Sequence, residues 1–300
     1  MAAATKVDID GHEVKLSNLD KVLYPEVGFT KGEVIDYYAR IAPTMLPHIS
    51  DRCVTLRRYP NGVDEKSFFE KRCPSHRPDF IDVAVGPGDR AGVVEYCVFD
   101  ERASLVWAGN MAALELHTPM AHADDIETPA MVVFDLDPGA PATITECAEV
   151  ALDIQAALAG IDLELFPKTS GSKGMQLYLP LNTPCTHEQA SEFALALAQM
   201  MEKHHPKRVV SNMKKDLRKG KVLIDWSQNS RHKTTVCAYS LRARPTPTVS
   251  TPVTWDEVEA AANDEPLSFT APEVLARVDA LGDLFAPTAT LRQQLPAARA

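Results

Sequence analysis

The sequence predicts a mixed α+β fold in which partly antiparallel sheets are flanked by helices. Apolar strand patterns and amphipathic helix patterns follow one another along the chain. The loop at 170–174, however, joins two strand patterns directly, which a regular parallel α/β chain would not do. No linker-like stretch divides the 300 residues, so we expect one domain over 1–300, with a core at about 10–250 and a helical C-terminal segment at about 251–300 that wraps around it.

The first half of the chain is predicted to contain short strands and helices separated by turns. The clearest turns are YPNG at 59–62 and GPGDRAG at 86–92, because Gly and Pro interrupt regular structure. An apolar strand, VVF at 132–134, then leads directly into Asp135 and Asp137. Because burying an unpaired carboxylate is very costly, we expect these two aspartates to face a cation or a basic partner.

The second half is predicted to contain two capped helices and three further strands. Each helix begins at a threonine that is followed three residues later by Glu or Gln, and the two helices span 143–160 and 186–204. The strand patterns are IDLELF at 161–166, MQLYLPL at 175–181 and KVLIDW at 221–226. The last strand contains a third carboxylate, Asp225, near its end, and beyond about Thr246 the chain is rich in proline and then helical.

The composition is that of an ordinary globular protein, with 45% hydrophobic and 24% charged residues. No apolar run approaches the ~18 residues of a membrane helix. The N-terminus also lacks a signal-peptide pattern, so we expect no membrane partner and a cytoplasmic location. The six cysteines form no CxxC pair, and this spacing favours reduced thiols over disulfides or a zinc site.

The charge of the chain is distributed unevenly. A net charge of −10 argues against a generally basic nucleic-acid-binding protein. The stretch 203–221 nevertheless carries eight Lys or Arg residues and one acidic residue. Such a stretch is able to bind phosphates, and it is equally typical of a solvated surface.

Asp135 and Asp137 are separated by a single leucine, and this spacing has a geometric consequence. Residues i and i+2 of a strand point to the same face, so both carboxylates are able to reach one cation or a pair of cations. Hard cations such as Mg²⁺ and Mn²⁺ prefer oxygen ligands. The pattern therefore favours a metal site at the end of this strand.

Three classes of enzyme use two aspartates arranged in this way. FDLD resembles the opening motif of haloacid-dehalogenase-type phosphatases, although Pro138 and Gly139 replace the usual continuation. Nucleotide-sugar transferases also bind metal through Asp-x-Asp, but no further feature supports that class. Nucleotidyl transferases need a third carboxylate and a phosphate-binding loop, which Asp225 and PKTSGSKG at 167–174 provide. Each feature alone is typical of an ordinary cap or hairpin, so it is their combination that favours the third class.

Several motifs, in order along the chain, are similar to those of a known family. They are LSNLDKVLYPEVGFTK, RRYPNGVDEKSFFEK, ALELHTP, FDLDP, KTSGSKG, GKVLIDWSQN and TVCAYSLRAR. Together they resemble the archaeo-eukaryotic primase superfamily, specifically the polymerase domain of bacterial DNA ligase D and its stand-alone relatives. The likeness covers most of residues 10–250. It implies a primase-like catalytic core.

The resemblance also implies roles for individual residues. It implies two divalent cations, Mn or Mg, held by the catalytic residues Asp135, Asp137 and Asp225. The nucleotide-binding residues implied by the resemblance are His117, Ser170, Gly171, Lys173, Arg218, Gln228 and Arg242. The implied DNA-binding residues are Lys21, Lys31, Arg58, Phe68 and Phe69, of which the two lysines hold a downstream 5′-phosphate and the two phenylalanines stack on the template. One departure is Gln176, which stands where the family commonly has histidine.

The resemblance implies template-directed addition of NTPs or dNTPs at short gaps or broken DNA ends, with a preference for ribonucleotides. The implied partners are DNA with a 5′-phosphate downstream, a separate ligase and an end-binding protein, and the implied location is the nucleoid. We expect a stand-alone polymerase rather than part of a larger ligase. The alternative is a non-catalytic module that binds or bridges DNA ends, although clustered carboxylates near a DNA phosphate argue against it.

Overall fold

The computed structural model describes residues 5–88 and 92–296, which divide into two units. The first unit comprises the residues up to Pro119 together with Thr234–Ser250 and Phe269–Asp283. The second comprises Met120–Lys233, Thr251–Ser268 and the residues from Leu284 onward. The chain therefore passes between the units several times.

The helices and strands are short and alternate along the chain. The helices are α1 (Lys31–Ile49), α2 (Arg102–Asn110), α3 (Ile144–Ala159), α4 (His187–His204), α5 (Trp255–Ala262) and α6 (Ala271–Leu281). The strands are β1 (Thr5–Ile9), β2 (His12–Leu16), β3 (Val22–Tyr24), β4 (Phe29–Thr30), β5 (Thr55–Arg58), β6 (Phe68–Glu70), β7 (Asp82–Pro87), β8 (Val93–Val98), β9 (Ala113–Thr118), β10 (Met131–Pro138), β11 (Phe166–Thr169), β12 (Met175–Pro180), β13 (Val209–Val210), β14 (Val222–Asp225) and β15 (Thr235–Val236). Short 3-10 helices span Lys215–Arg218, Trp226–Asn229 and Ala286–Ala289.

The first unit contains a four-stranded antiparallel sheet in the order β15-β9-β5-β6 and three two-stranded hairpins, β1-β2, β3-β4 and β7-β8. Helix α1 packs against α2 and α6. Two buried tyrosines of α1 tie this helix to the chain around it. Tyr38 donates its hydroxyl proton to the Leu114 carbonyl at 2.9 Å, and Tyr37 donates to the Tyr239 carbonyl at 2.7 Å. Such bonds satisfy hydroxyls that burial removes from water.

The second unit is built around a five-stranded sheet in the order β11-β12-β10-β14-β13. All its pairs are antiparallel except β13 with β14. Helices α3 and α4 both contact the central strand β10, and α5 packs on α3. The capping boxes predicted for the two helices are present at Thr143 and Thr186. Together the two units confirm the predicted mixed α+β fold with partly antiparallel sheets.

The predicted strand IDLELF is wrong in its position. The observed strand β11 is Phe166–Thr169, and Ile161 is 50% exposed. Helix α3 ends at Ala159, and the chain then turns, with Asp162 in the left-handed region at a φ of 58°. The apparent alternation at 161–166 was therefore a turn followed by the first residue of the true strand.

The prediction that all cysteines are reduced is also wrong for two of them. Cys73 and Cys97 form a disulfide. Cys97 lies in β8, and the Cys73 amide donates to the Glu95 carbonyl of the same strand at 2.8 Å, so backbone pairing brings the two thiols together. The spacing in the sequence carries no sign of this pairing. Of the predicted loop GPGDRAG, Gly86 and Pro87 belong to β7, and 89–91 lie outside the described residues.

Candidate active site

Strand β10 carries two of the three predicted catalytic carboxylates. The residues at 131–134 are buried, as is Leu136, whereas Asp135 is half-buried and Asp137 is exposed. Because alternate residues of a strand point to the same face, the two aspartates lie on one face and Leu136 on the other. The Leu136 side packs into the core, whereas the acidic side is accessible to a ligand such as a metal ion.

Strand β14 brings the third carboxylate to the same place. Asp225 lies directly opposite Asp135 in the antiparallel pair of β10 and β14. Asp135, Asp137 and Asp225 each offer a carboxylate oxygen, and these oxygens lie within 4.8 Å of one another. The predicted convergence of the three residues is confirmed. Three carboxylates form a donor set that suits a hard divalent cation such as Mg²⁺ or Mn²⁺.

The residues after Asp225 hold this carboxylate in place. Its Oδ1 accepts hydrogen bonds from the backbone amide of Ser227 at 3.0 Å and from the Ser227 hydroxyl at 2.6 Å. Its Oδ2 accepts from Gln228 Nε2 at 2.9 Å. The buried Asn229 completes the turn by bonding both to the amide and to the carbonyl of Val133, at 2.8 and 2.9 Å. The segment SQN thus anchors Asp225 to β10, a role for Asn229 that the sequence did not reveal.

The three carboxylates repel one another. Burial, followed by the charge of Asp137, raises the pKa of Asp135 to about 7, and the charge of Asp225 adds to the effect. The hydrogen bond from Gln176 and the charge of Lys168 act in the opposite direction. A bound cation would relieve this repulsion, so the electrostatics of the cluster fit a metal site.

The turn at Ser170–Gly174 is stabilised by the hydroxyl of Ser170 and by the backbone conformation of Gly171. Ser170 Oγ accepts hydrogen bonds from the backbone amides of Ser172 and Gly174, both at 3.2 Å. Gly171 has a φ of 66°, which a side chain would disfavour. The turn therefore gathers backbone N–H groups in the way that anion-binding loops do.

This turn is held against the strand that carries the aspartates. A Cβ on Gly174 would lie 2.0 Å from the carbonyl oxygen of Leu136, so only glycine fits at this contact. Met175, which follows, pairs directly with Leu136 in the β10-β12 ladder. The turn consequently lies at the same end of β10 as Asp135 and Asp137, and the exposed Lys173 belongs to it.

Arg218 lies at the end of β10. A Cβ on Gly139, the residue after this strand, would lie 1.9 Å from the Arg218 carbonyl oxygen. The guanidinium donates to the Met213 carbonyl at 2.5 Å. Its Nε is buried and has no hydrogen-bond partner among residues 5–88 and 92–296. A buried donor that lacks a partner is compatible with an anionic ligand.

In the first unit, His117 belongs to a buried polar cluster centred on Glu115. Glu115 is 1% exposed. Its Oε2 accepts from His117 Nε2 at 3.0 Å and from Arg57 at 3.3 Å. Its Oε1 accepts the Ala243 amide at 3.2 Å and lies 3.3 Å from Arg242 Nε. The predicted residues His117 and Arg242 are therefore organised by a common carboxylate.

The charges of this cluster favour an ionised Glu115 and a neutral His117. Burial raises the pKa of Glu115, but the hydrogen bond from His117 and the charge of Arg242 outweigh this effect and lower it to about 2. Burial lowers the pKa of His117. Because a carboxylate only accepts hydrogen bonds, the proton of the imidazole lies on Nε2. Sequence reasoning missed Glu115, although its position two residues before His117 on the same strand places both on one face.

The first unit also contains a group of cations, which consists of Arg58 and the two lysines predicted to bind a 5′-phosphate. Lys31 is 6% exposed and donates to the Ser17 carbonyl at 2.7 Å. Burial, followed by the charges of Lys21 and Arg58, lowers its pKa to about 8. Lys21 and Arg58 are thus close enough to Lys31 for their charges to disfavour its protonated form. An anion beside them would offset this repulsion.

The two predicted stacking residues are exposed. Phe68 is 45% and Phe69 57% exposed, on the edge strand β6. The guanidinium of Arg57 lies 5.1 Å from the ring centre of Phe69, and that of Arg58 lies 5.2 Å from the ring centre of Phe68. Large apolar rings that remain in solvent next to cations are suited to contact with nucleic-acid bases.

The predicted site residues therefore fall into two groups. The second unit contains Asp135, Asp137, Asp225, Ser170, Gly171, Lys173, Arg218 and Gln228. The first unit contains Lys21, Lys31, Arg58, Phe68, Phe69, His117 and Arg242. The catalytic and binding roles assigned to them remain predictions.

Comparison with known proteins identifies the family. The model of a family described as the LigD primase-polymerase domain matches residues 30–285. The chain belongs to the LigD primase-polymerase domain family. This membership confirms the predicted enzyme class, a DNA-directed nucleotidyltransferase with a primase-like core.

Individual LigD proteins support the same assignment. The chain is 46% identical over 276 residues to the multifunctional non-homologous end joining protein LigD of Mycolicibacterium smegmatis. It is 30% identical over 274 residues to the bifunctional non-homologous end joining protein LigD of Bacillus subtilis. The solved polymerase domain of Mycobacterium tuberculosis ligase D in complex with DNA superimposes with a TM-score of 0.87 at 41% identity, covering 93% of this chain and 99% of that domain.

The chain corresponds to only part of the LigD relatives. Both alignments cover 91% of this chain, but they cover 36% of the Mycolicibacterium protein and 44% of the Bacillus protein. Within the described ranges, every helix is too short or too polar to span a bilayer.

Proposed function

We propose that this chain catalyses template-directed addition of nucleoside triphosphates to a 3′-OH at short gaps or broken DNA ends during non-homologous end joining. The observation that supports the proposal best is the convergence of Asp135, Asp137 and Asp225 at the C-terminal end of β10. The Ser170–Gly174 turn packs against the same end of this strand. A metal-binding carboxylate cluster beside a phosphate-binding turn is what phosphoryl transfer requires.

The three aspartates are proposed to hold two divalent cations, Mg or Mn. When bound there, such cations would lower the pKa of the primer 3′-OH and neutralise the charge of the departing pyrophosphate. Asp225 is kept in position for this role by Ser227 and Gln228. Leu136, buried on the opposite face, holds the strand so that the two other carboxylates point away from the core.

The triphosphate is proposed to bind at the turn. Ser170, Gly171 and Lys173 offer a hydroxyl, closely approaching backbone amides and an ammonium. Arg218, whose backbone lies against the end of the same strand, adds a guanidinium whose Nε is buried. These groups would stabilise the negative charge that develops on the phosphates during transfer. We propose that His117, Arg242 and Gln228 contribute to nucleotide binding as well.

The DNA substrate is proposed to carry a 5′-phosphate downstream of the gap. Lys21, Lys31 and Arg58 would bind this phosphate, and Phe68 and Phe69 would stack on the template. The solved relative from Mycobacterium tuberculosis, which is in complex with DNA, supports this part of the proposal. We further propose a preference for ribonucleotides and cooperation with a ligase activity and an end-binding protein at the nucleoid.

A second candidate function is a non-catalytic module that bridges DNA ends. The cation group of Lys21, Lys31 and Arg58 favours it, because this group would bind an end equally well in the absence of chemistry. The clustered carboxylates argue against it, because they would repel a DNA phosphate unless a cation is bound.

The test is extension of a labelled primer across a gap of one or two nucleotides, with and without a downstream 5′-phosphate. NTPs and dNTPs would be compared under Mg²⁺ and under Mn²⁺. We expect extension by the wild type, greater with the 5′-phosphate, and no extension by the Asp135→Ala/Asp137→Ala double variant, which should still bind the gapped DNA. Asp124→Asn, an exposed aspartate of the same unit, serves as the control. Binding without extension by the wild type would instead support the bridging module.

A further inference from the structure

Four polar side chains form a row across four adjacent strands of the second unit. Lys168 of β11 lies directly opposite Gln176 of β12, Gln176 lies opposite Asp135 of β10, and Asp135 lies opposite Asp225 of β14. Residues that lie directly opposite in an antiparallel pair point to the same face of the sheet. The row therefore joins a buried lysine to the carboxylate cluster.

Hydrogen bonds connect the row in one direction. Lys168 Nζ donates to Gln176 Oε1 at 2.6 Å, and Gln176 Nε2 donates to Asp135 Oδ1 at 2.9 Å. An ammonium group only donates, so the lysine determines which end of the amide is the acceptor and which end is the donor. The amide NH₂ is consequently directed at the carboxylate.

Lys168 and Gln176 are too deeply buried to serve as ordinary surface contacts. Lys168 is 0% and Gln176 4% exposed. The ammonium also lies 5.4 Å from the centre of the Tyr178 ring, so an aromatic face and an amide oxygen surround the charge. Burial of a lysine is costly, and the two hydrogen bonds place this ammonium one side chain away from Asp135.

We infer that Lys168 and Gln176 are positioning residues that hold Asp135 in its metal-binding orientation, a role that depends on the proposed binding of metal by the three aspartates. With Oδ1 occupied by the amide, the remaining oxygen of Asp135 is presented to the cation together with Asp137 and Asp225. Groups that hydrogen-bond a metal ligand from behind affect metal affinity by about 10- to 100-fold. Gln176 thus uses its amide to support a carboxylate of the site.

The test is the affinity of the nucleotide-free protein for Mn²⁺, measured from the EPR signal of unbound Mn²⁺. Gln176→Leu keeps the approximate volume and removes both hydrogen bonds, so we expect Mn²⁺ to bind about tenfold more weakly or worse. Thr169→Val is the matched control. Thr169 is 2% exposed and adjacent on β11, but it points to the opposite face and bonds to the Thr251 amide. The control should lose stability and keep its Mn²⁺ affinity within about twofold.

Lys168→Met, made alone and together with Gln176→Leu, tests whether the lysine acts through the glutamine. We expect Lys168→Met to weaken Mn²⁺ binding in the wild-type background and to have no further weakening effect when Gln176 is already leucine. If Lys168→Met weakens Mn²⁺ binding equally in both backgrounds, or if Lys168→Met alone tightens it, Lys168 does not act through Gln176 and the inference is wrong.

Two further outcomes separate this role from others. If Gln176→Leu raises only the KM for the nucleotide and leaves Mn²⁺ affinity unchanged, Gln176 is a nucleotide contact and the inference is wrong. If Mn²⁺ binds the wild type but Asp135→Asn and Asp225→Asn leave its affinity unchanged, the proposed metal role of the aspartates fails instead, and the inference fails with it.

Discussion

Asp135 lies directly opposite Asp225 on the neighbouring antiparallel strand, although the two residues are far apart in the chain. This pairing places a carboxylate on each of two adjacent strands at one point of the sheet. Asp137, two residues further along β10, completes the cluster. The candidate active site is therefore a product of strand register.

Asp225→Asn is expected to reduce primer extension at least about 100-fold, because the third ligand of the proposed metal site is lost. Single-nucleotide extension on gapped DNA measures this effect. The metal-free variant should unfold at the same temperature as the wild type or higher, since one of three mutually repelling charges is removed. Asp124→Asn controls for loss of an aspartate elsewhere in the same unit. Full activity of Asp225→Asn would remove Asp225 from the site.

Glu115→Gln is expected to destabilise the protein near pH 7 by an amount on the order of 3 kcal/mol. Because the pKa of Glu115 is lowered to about 2 from an ordinary value of 4.5, its contribution is fully present above pH 4.5 and is lost as the pH falls toward 2. Urea unfolding at pH 7 and pH 3.5 should therefore show a difference from wild type that narrows at the lower pH. Glu65→Gln, an exposed glutamate of the same unit, should show no such narrowing.

The preference for a downstream 5′-phosphate is expected to decrease as the pH rises from 7 to 9. Lys31, whose pKa is lowered to about 8, loses its positive charge over this range and with it the attraction for phosphate. Fluorescence anisotropy would compare the Kd values of gapped DNA with a 5′-phosphate and with a 5′-hydroxyl. Lys31→Met should reduce the preference and flatten its pH dependence, whereas Lys15→Met, at an exposed lysine of β2, should retain both. If the preference of Lys31→Met for the 5′-phosphate depends on pH as it does in the wild type, residues other than Lys31 bind the phosphate.

Phe69→Ala is expected to weaken binding of gapped DNA about tenfold, because stacking of one base contributes ~1–3 kcal/mol. The thermal stability should change little, since the ring is 57% exposed. Phe69→Leu is a useful comparison, because it keeps apolar volume and removes the flat ring; it should bind nearly as weakly as Phe69→Ala. If Phe69→Leu binds gapped DNA as tightly as the wild type, Phe69 makes a simple apolar contact and does not stack on a base.

Several features of the fold were predictable because their causes are local. The capping boxes at Thr143 and Thr186 depend on residues three positions apart, and both are present. The common face of Asp135 and Asp137 follows from the alternation of a strand. The strand at 161–166 was misplaced because a turn after α3 imitates alternation over a few residues.

The mixed α+β class, the family resemblance, the three carboxylates and the Ser170–Gly174 turn were recognisable in the sequence, because each depends on residues close together in the chain. Three contacts became apparent only once the chain was folded: the bond between Gln176 and Asp135, the contacts of Glu115 with His117, Arg57 and Arg242, and the disulfide between Cys73 and Cys97. Side-chain partners across a sheet are set by the register of strands that are distant in the chain. Register depends on the packing of the whole unit, whereas spacing along the chain reports only on neighbours within one strand or helix.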